Sequence, residues 1–320
     1  MDREPAVATN PSPAPTCVCL VVIFNHNYEA NLPKLDEIYA QRFPRRWYLM
    51  PFYSGDRADV ISVLDTSFCF QGYIAQAFHR FSSPDITHYV FVGDDLILNP
   101  AIQEANIVDQ LDLDDGSSYV KDLVGIGRQS LAWWHMRRAL TPFLEDNGVE
   151  WKSLLPRYED ALAVLARHGV ELGSHGWRDL RVLRGMSGRD ARARWVVKYV
   201  ATGRGRRVPP YPMVVSYSDF FVLPARFAEP FVRLCGVFAA MGVFVEAAIP
   251  SALLLSGSRV VVERDTRWHG CEVWTHSANA EIYQAHDGSF LRLLERFPPD
   301  RLYLHPVKLS KWKGPFSTAE

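Results

Sequence analysis

The chain has 320 residues, of which 48% are hydrophobic and 22% are charged, and this is enough material for one large or two small cores. Its formal net charge of −1 at pH 7 argues against bulk nucleic-acid binding, for which a strongly basic surface is typical. The five cysteines lack the spacing of a disulfide framework, and they indicate a reduced, cytoplasmic setting.

The first half of the chain alternates between predicted strands and helices. Residues 1–15 are polar and rich in proline, which predicts a disordered tail. The apolar run CVCLVVIF at 17–24 is typical of a strand buried on both faces; a helix follows it, with Asn31 placed to cap that helix and Pro33 in its first turn. The alternation continues with a strand at 47–53, a helix within 67–81 and a strand at 87–93. This pattern predicts an α/β fold with a mostly parallel central sheet flanked by helices.

A basic segment interrupts this alternation in the middle of the chain. Ten Arg or Lys residues and only two Asp residues lie between Arg178 and Arg207, within a predicted helical insertion at 120–212. The 178–207 segment has three interpretations: a solvated helix face, a cover over an anionic ligand, or a peripheral contact with an anionic membrane surface. Predicted elements resume with a strand at 213–224, helices at 227–241 and 243–255, a strand at 258–263, an extended segment at 267–276 and a helix at 280–296.

Glu246 stands in the middle of the most hydrophobic stretch, 234–255, and Pro250 follows it. A carboxylate at the centre of a membrane span is costly, so this stretch predicts a pair of buried helices in a globular core. A charge buried in such a run costs several kcal/mol unless it is paired. Glu246 is therefore expected either to pair with an arginine or to have the raised pKa of a general base.

Two adjacent carboxylates, Asp94 and Asp95, directly follow the third predicted strand. Parallel sheets bind ligands beyond the carboxyl ends of their strands, and Asn25 and His26 follow the first strand at an equivalent position. Like charges repel, so the pair indicates a cation such as Mg²⁺ or Mn²⁺, and a helix cap or turn is the alternative. A second acidic string, LDLDDG at 111–116, lacks a preceding apolar strand and predicts a solvated turn.

A strand that ends in an acidic pair, about 70 residues after the first strand, resembles the GT-A class of nucleotide-sugar-dependent glycosyltransferases. The C-terminal sequence LYLHPVKLSKWKG is also similar to that class, because many metal-dependent members place a histidine on the metal and a nearby lysine on the diphosphate. Here His305 and Lys308 stand at these places. The resemblance implies one GT-A-like catalytic domain at 16–320. This domain comprises a nucleotide-binding half at 16–119, the insertion at 120–212, and an acceptor-side half with the C-terminal active-site segment at 213–320.

The resemblance also implies roles for individual residues of a donor site. Asp95 and His305 would bind Mn²⁺ or Mg²⁺, and Asp94 would contact the ribose or a metal-bound water. Asn25 and His26 are expected on the loop that cradles the nucleoside, and Gln71 and Gly72 on a segment that passes near the donor sugar. Lys308, on the C-terminal segment, would contact the diphosphate.

Two carboxylates are candidates for the catalytic base. Asp219 lies inside the apolar strand SYSDFFVLP, and Glu246 lies in the apolar stretch described above. Inverting members of the resembled class use an Asp or Glu near the acceptor to take the proton of the attacking hydroxyl. Glu246 is preferred to Asp219 for this role, and retaining chemistry stays open. The alternative for each is a structural salt bridge, with Arg226, Arg233 or Arg264.

The function predicted from these residues is metal-dependent transfer of a sugar from a UDP- or GDP-sugar to a hydroxyl acceptor. The acceptor would be a glycan or lipid-linked glycan, in the cytoplasm or at the inner face of the membrane. Four tryptophans offer apolar faces on which a sugar ring could stack, although packing is the commoner role: Trp133, Trp134, Trp268 and Trp274.

Two other functions stay open. A sugar-phosphate nucleotidyltransferase would usually have a glycine-rich, basic loop after the first strand, where this chain has FNHNYEAN. The second is a nucleotide- or carbohydrate-binding protein without catalysis. It stays open because the triplets GDD and DDL, starting at Gly93 and Asp94, each lack one acidic position of the usual D-x-D pattern.

Overall fold

A computed structural model describes residues 17–202 and 208–314. The predicted tail at 1–15 and the end of the basic segment, 203–207, lie outside the described residues. The strands are β1 (Val18–Ile23), β2 (Arg46–Pro51), β3 (Val60–Val63), β4 (His88–Gly93), β5 (Ile97–Leu98), β6 (Ser117–Val120), β7 (Val124–Gly125), β8 (Val214–Val215), β9 (Phe220–Pro224), β10 (Arg259–Val262), β11 (His269–Glu272) and β12 (Arg301–His305). The α-helices are α1 (Leu32–Tyr39), α2 (Phe70–Phe81), α3 (Ile107–Gln110), α4 (Met136–Leu140), α5 (Trp151–Leu154), α6 (Tyr158–Arg167), α7 (Ala191–Ala201), α8 (Ala228–Met241), α9 (Val245–Leu255), α10 (His276–Ala285) and α11 (Phe290–Glu295).

Seven strands form the central sheet in the order β10–β6–β9–β4–β1–β2–β3. β1 pairs in parallel with β2 and β4, β2 pairs in parallel with β3, and β6 pairs in parallel with β10. β9 runs antiparallel to both of its neighbours, β4 and β6. The prediction of an α/β fold with a mostly parallel central sheet flanked by helices is therefore confirmed. Because Ile23 of β1 is in register with Gly93 of β4, these two strands end side by side.

Both faces of the central sheet are covered, which explains why β1 is apolar at every position. Alternate residues of a strand point to opposite faces, and in β1 they enter two different cores. One core lies against α2, α8 and α9, and the other lies against α1, α11 and the C-terminal strands. The residues in the first core are Cys19, Val21 and Ile23, and those in the second are Val18, Leu20 and Val22.

A small three-stranded sheet brings the C-terminal segment back to the acidic pair. β12 pairs in parallel with β11 and antiparallel with β5. In the β5–β12 pairing, Tyr303 stands opposite Leu98 and Leu304 stands opposite Ile97. Because β5 begins two residues after Asp95, this register places the end of β12 beside the end of β4.

Two sequence predictions were wrong about the continuity of an element. The helix expected at 280–296 is divided into α10 and α11, because Asp287 (φ 52°) and Gly288 (φ 65°) leave the helical conformation. The strand expected at 213–224 is divided into β8 and β9, and Asp219 lies in the connection between them. This connection matters for the site, because it lets Asp219 lie next to Gly93 at the sheet edge.

The most hydrophobic stretch forms two helices, as its central carboxylate predicted. α8 ends at Met241, followed by Gly242 in the left-handed conformation (φ 72°), and α9 begins at Val245. A left-handed residue after the last turn is a usual helix stop, and glycine adopts it without strain. Within residues 17–202 and 208–314, each helix is too short or too polar to cross a bilayer.

Two segments of the insertion that are far apart in sequence meet at a close contact of two backbones. Gly125 of β7 lies so near residues 171 and 172 that a Cβ there would stand 2.0 Å from Glu171 O and 2.8 Å from Leu172 Cα. We therefore expect Gly125→Ala to lower the free energy of unfolding by about 1–3 kcal/mol or more, since overpacking forces the backbone to move. Chemical denaturation with circular dichroism measures this change.

Gly236→Ala is a matched control for this prediction. Gly236 lies inside α8, and a Cβ there would meet only Ala75 Cβ, at the ordinary contact distance of 3.7 Å. Because alanine is favoured over glycine in a helix by roughly 1 kcal/mol, the control is expected to be at least as stable as the native chain. Equal stability of Gly125→Ala and the native chain would contradict the close contact.

Candidate active site

The acidic pair lies at the carboxyl end of β4, in the middle of the central sheet. Asp94 N donates to Ile23 O at the end of β1 (2.9 Å), and Gly93 N donates to Asp219 O (2.9 Å). The two residues of the pair are only 7% and 5% exposed, Asp94 and Asp95 respectively. Two neighbouring carboxylates at this depth need hydrogen-bond donors or cations around them.

Asp94 is held by the loop that follows β1. Asn25 N and Asn25 Nδ2 donate to Asp94 Oδ1 (3.0 and 3.3 Å), and Asn31 Nδ2 lies 3.5 Å from Asp94 Oδ2. Asn31 holds the predicted N-cap position of α1, but its side chain makes no capping hydrogen bond and is directed to the acidic pair instead. Burial, and after it the charge of Asp95, raise the pKa of Asp94 above its usual range.

Asp95 is held by the C-terminal segment. His305 Nε2 lies 3.1 Å from Asp95 Oδ1, Lys308 Nζ donates to Asp95 Oδ2, and Val307 N donates to Asp95 O (2.7 Å). Burial would raise the pKa of Asp95, but the hydrogen bond and charge of His305, together with Lys308, outweigh it and lower that pKa. Burial likewise opposes the charge on His305, but Asp95 and Asp219 raise the pKa of the imidazole. The contact between His305 and Asp95 thus shifts the pKa of each group towards its charged form.

The donor atoms of Asp95 and His305 fit a divalent metal ion whose shell is completed by a ligand. No three His, Cys, Asp or Glu side chains converge closely enough to hold a metal in the part of the chain that the structure describes. Mg²⁺ in proteins needs only one or two side chains, because substrate phosphates and water fill the remaining positions. The 3.1 Å between Asp95 Oδ1 and His305 Nε2 is the length of a hydrogen bond, so the imidazole would have to release the shared proton before both atoms could bind an ion.

The two candidate bases lie on the other side of this pair. Asp219 Oδ2 is 3.9 Å from His305 Nε2, and burial raises the pKa of Asp219 although the charge of His305 opposes it. Glu246 is in the first turn of α9, where burial, followed by the charges of Asp219 and Asp122, raises its pKa to about 7. Among the described residues neither carboxylate forms a salt bridge with arginine, so the structural alternative finds no partner here.

A cavity of about 480 Å³ opens beside Glu246. Trp133, Trp134 and Trp274 line it, and their stacking on a sugar ring stays a prediction. Trp268 does not, because it is only 5% exposed and packs in the core behind β12. Its indole Nε1 donates to the side chain of Gln110 (3.3 Å), so Trp268 has the structural role.

Sequence analysis missed several residues that share this cavity with Glu246. They come from the insertion, from the β8–β9 and α8–α9 connections and from β11, and they are Lys121, Asp122, His135, Tyr217, Phe244 and Glu272. His135 stacks on Phe244 with ring centroids 3.5 Å apart, and Lys121 forms an ion pair with Glu272. A tryptophan pair directly before a histidine, Trp133–Trp134–His135, was the one local signal that could have found part of this wall.

A smaller cavity lies between the loop after β1 and the C-terminal segment. Its lining contains five of the predicted donor-site residues, namely Asn25, His26, Asp94, Asp95 and Lys308. His26 is exposed, so its ring is accessible to a ligand, whereas the carboxylates form the floor. The arrangement thus joins a polar loop, an acidic floor and a lysine around one opening.

Gln71 and Gly72 lie outside both cavities. The side chain of Gln71 is fully buried in α2, and its Nε2 donates to Val243 O (2.7 Å). A Cβ at Gly72 would stand 2.5 Å from Asp65 Oδ2, so the backbone there is already covered by a side chain. The expected contact of these two residues with a donor sugar would need a different position of α2, because helix packing hides them.

The acidic string at 111–116 forms the solvated turn that its sequence predicted. Asp114 Oδ1 accepts hydrogen bonds from Gly116 N (2.8 Å) and Ser117 Oγ (2.6 Å) at the start of β6. These bonds occupy the carboxylate within its own turn.

In the basic segment, the described part forms a 3₁₀ helix at Trp177–Leu183 and then α7, capped by the Asp190 side chain. Contact with a membrane surface through 178–207 stays a prediction, as do the domain boundaries at 119 and 212.

Comparisons with known proteins return little. No protein-family model and no curated protein sequence matches the chain. One solved structure with similarity to it is that of the mannosyltransferase Ktr4p from S. cerevisiae, in complex with GDP. The sequences are 10% identical over 83% of this chain and 75% of that chain, with a TM-score of 0.34. A similarity this low identifies neither the fold nor the activity of the present chain, and both have to be argued from its own residues.

Proposed function

We propose that the protein is a glycosyltransferase that moves a sugar from a nucleotide diphosphate donor to a hydroxyl group of an acceptor. The supporting observation is that His305 and Lys308 contact Asp95, although they lie 210 and 213 residues after it in the sequence. This contact joins an acidic strand end, a lysine and an imidazole at the edge of a parallel sheet, where such sheets bind ligands. A carboxylate with a pKa of about 7, Glu246, lies in the neighbouring cavity.

The donor nucleotide would lie in the smaller cavity. Asn25 and His26 offer polar contacts to a nucleoside at its rim, and Asp94 offers a carboxyl that burial makes easier to protonate. A neutral Asp94 could donate a hydrogen bond to a ribose oxygen, whereas an ionised Asp94 could only accept one. Lys308 would turn from Asp95 to the diphosphate, for which a lysine acts as a mobile point charge.

Asp95 and His305 would hold Mn²⁺ or Mg²⁺ against the diphosphate. Such an ion, when bound, stabilises the negative charge that develops on the leaving nucleoside diphosphate. Lys308 would add a second positive charge at the same group. The pairing of Leu304 with Ile97 brings the next residue, His305, close to Asp95, which supports this arrangement.

Glu246 would act as the general base of an inverting reaction. The acceptor hydroxyl oxygen forms a bond to C1 of the donor sugar, the bond between C1 and the phosphate oxygen breaks, and the nucleoside diphosphate leaves. The hydroxyl proton passes to the Glu246 carboxylate, which must be ionised to accept it. Asp219 is the second candidate for this base, and its contact with His305 makes it less free to move.

A nucleotide-binding protein without catalysis is the second candidate function. The observation that favours it is the engagement of both Asp95 oxygens, one by His305 and one by Lys308, since this already balances the acidic floor without a metal. The two candidates differ in their metal dependence. Only the transferase needs Mn²⁺ or Mg²⁺ for tight donor binding.

A thermal-shift panel of UDP- and GDP-sugars, with and without Mn²⁺, tests the proposal. A ligand that binds only the folded state stabilises it by about 2.7 kcal/mol at one hundred times its Kd. We expect one nucleotide-sugar to raise Tm by several degrees with Mn²⁺ and much less with EDTA. A shift of equal size in EDTA would favour the non-catalytic candidate, and the absence of any shift would refute nucleotide-sugar binding.

A further inference from the structure

The ionisable groups around the larger cavity, which we call the acceptor cavity, carry a negative excess. They are Lys121, Asp122, His135, Glu246 and Glu272. Lys121 is the single lysine or arginine of this lining in the described part of the chain, and its ion pair with Glu272 already balances its charge. His135 is neutral at pH 7, because burial and the charge of Arg138 lower its pKa to about 4. An anionic group in the cavity would therefore meet no free cation, although Glu246, with a pKa of about 7, is only partly ionised at pH 7.

Exposed aromatic faces stand at the rim of the same cavity. Trp134 of the insertion is 64% exposed, and Trp274, which follows β11, is 67% exposed. Large apolar side chains left in water at a cavity indicate a surface that a ligand covers. Tryptophan suits a saccharide, because the C–H face of the sugar packs on the ring while its hydroxyls reach polar groups.

A buried polar atom in the wall has no partner. His135 is only 5% exposed, with its ring between those of Trp134 and Phe244 at centroid distances of 3.6 and 3.5 Å. Its Nδ1 finds no hydrogen-bond partner among residues 17–202 and 208–314. Buried polar groups in folded proteins are usually satisfied, and a ligand would have to displace the exposed Trp134 side chain to exchange a hydrogen bond with this covered atom. A hydroxyl group does so as donor or as acceptor.

We propose that the acceptor cavity binds an uncharged saccharide and discriminates against saccharides that carry a carboxylate or a phosphate. The proposal deepens the glycosyltransferase assignment and rests on it for the direction of transfer. The cavity volume of about 480 Å³ lies within the roughly 300–1,000 Å³ of small-molecule sites. Trp274 and Tyr217 connect the cavity to the proposed donor site, because their rings lie 5.5 and 5.6 Å from that of His305.

Binding of matched glycosides tests the proposal without a donor. The probes are the methyl glycosides of glucose, galactose, mannose and N-acetylglucosamine, each compared with its 6-carboxylate and 6-phosphate forms. Tryptophan fluorescence of the full chain reports binding, because two of the rim residues are exposed indoles. We expect at least one neutral glycoside to change the fluorescence and to bind at least about tenfold more tightly than its two anionic forms. Equal or tighter binding of the anionic forms, or no response to all four neutral glycosides, would overturn the proposal.

Two variants locate the binding and its selectivity. Trp274→Ala should weaken the neutral glycoside about tenfold, whereas Trp177→Ala should not, since Trp177 is equally exposed (61%) but is not part of the lining. Asp122→Asn removes one uncompensated charge, and it should reduce the discrimination against the anionic forms severalfold. Unchanged binding of the neutral glycoside by Trp274→Ala would refute the site. Unchanged discrimination against the anionic forms by Asp122→Asn would refute its electrostatic basis.

The outcomes separate this inference from the proposed function. If donor binding shows the expected dependence on Mn²⁺ and none of the neutral glycosides binds, the transferase assignment stands and the proposed acceptor class is wrong. If the glycosides bind as expected and no nucleotide-sugar raises Tm, the cavity is a saccharide site and the transferase assignment is wrong.

Discussion

The Asp95→Ala variant is expected to lose the Mn²⁺-dependent part of the thermal shift that a nucleotide-sugar produces. Within the described ranges, Asp95 is the one carboxylate that contacts both His305 and Lys308, so its removal takes away the proposed metal ligand and the group that orients the other two. Transfer activity should fall by about two orders of magnitude or more, since an ion at the leaving group contributes several kcal/mol. The measurements are the thermal shift with and without EDTA and the rate of nucleoside diphosphate release.

Two further variants make this result interpretable. Asp95→Asn keeps the volume of the side chain, so it distinguishes lost ligation from a packing defect in a buried position. Asp115→Ala removes an exposed aspartate of the 111–116 turn and should leave the shift unchanged. A full Mn²⁺-dependent shift in both Asp95 variants would remove this residue from the site.

Glu246→Gln is expected to lower the rate of transfer about 10²–10⁴-fold while donor binding stays intact. Glutamine has nearly the same size and keeps the hydrogen-bonding capacity of the side chain, but it cannot accept the hydroxyl proton. Glu246 lies in the acceptor cavity and not in the donor cavity, so the thermal shift with nucleotide-sugar should be that of the native chain. Steady-state kinetics and the thermal shift together separate the two effects.

The raised pKa of Glu246 predicts how the rate of transfer changes with pH. Burial and the nearby charges of Asp219 and Asp122 raise the pKa of Glu246 to about 7, and only the ionised carboxylate can act as base. In the native enzyme kcat/KM should therefore rise with pH and level off above about pH 7, and this rise should be missing in Glu246→Gln.

Controls for the base come from two other acidic positions. Glu229→Gln is a matched control, since Glu229 also lies in the first turn of a helix but is exposed. Near-normal turnover in Glu246→Gln together with a large loss in Asp219→Asn would transfer the role of base to Asp219.

The central sheet could be predicted from sequence because its signal is local. The run CVCLVVIF is apolar at every position, and only a strand covered on both faces needs that pattern. The approach of His305 to Asp95 was expected by resemblance alone. Its physical cause is the pairing of β12 with β5, and a two-residue strand has too little pattern to be recognised in a sequence.

The acceptor cavity could not be predicted, because its wall is assembled from distant segments. His135 comes from the insertion and Glu272 from β11, and neither has a neighbour in sequence that points to the other. Gln71 is the converse case: its donor-site role stays a prediction, and helix packing, which sequence alone does not reveal, buries its side chain. Periodicity places elements reliably, but the direction of a single polar side chain depends on contacts between elements.

The attachment of the C-terminal segment has a consequence for how the protein could be switched off. His305 and Lys308 reach Asp95 through β12, whose neighbours are the four-residue β11 and the two-residue β5, and not through the seven-stranded sheet. Small peripheral elements open at a lower free energy than the whole domain. Local opening of this small sheet in an otherwise native molecule would separate both His305 and Lys308 from Asp95, and so remove the proposed diphosphate contacts at once.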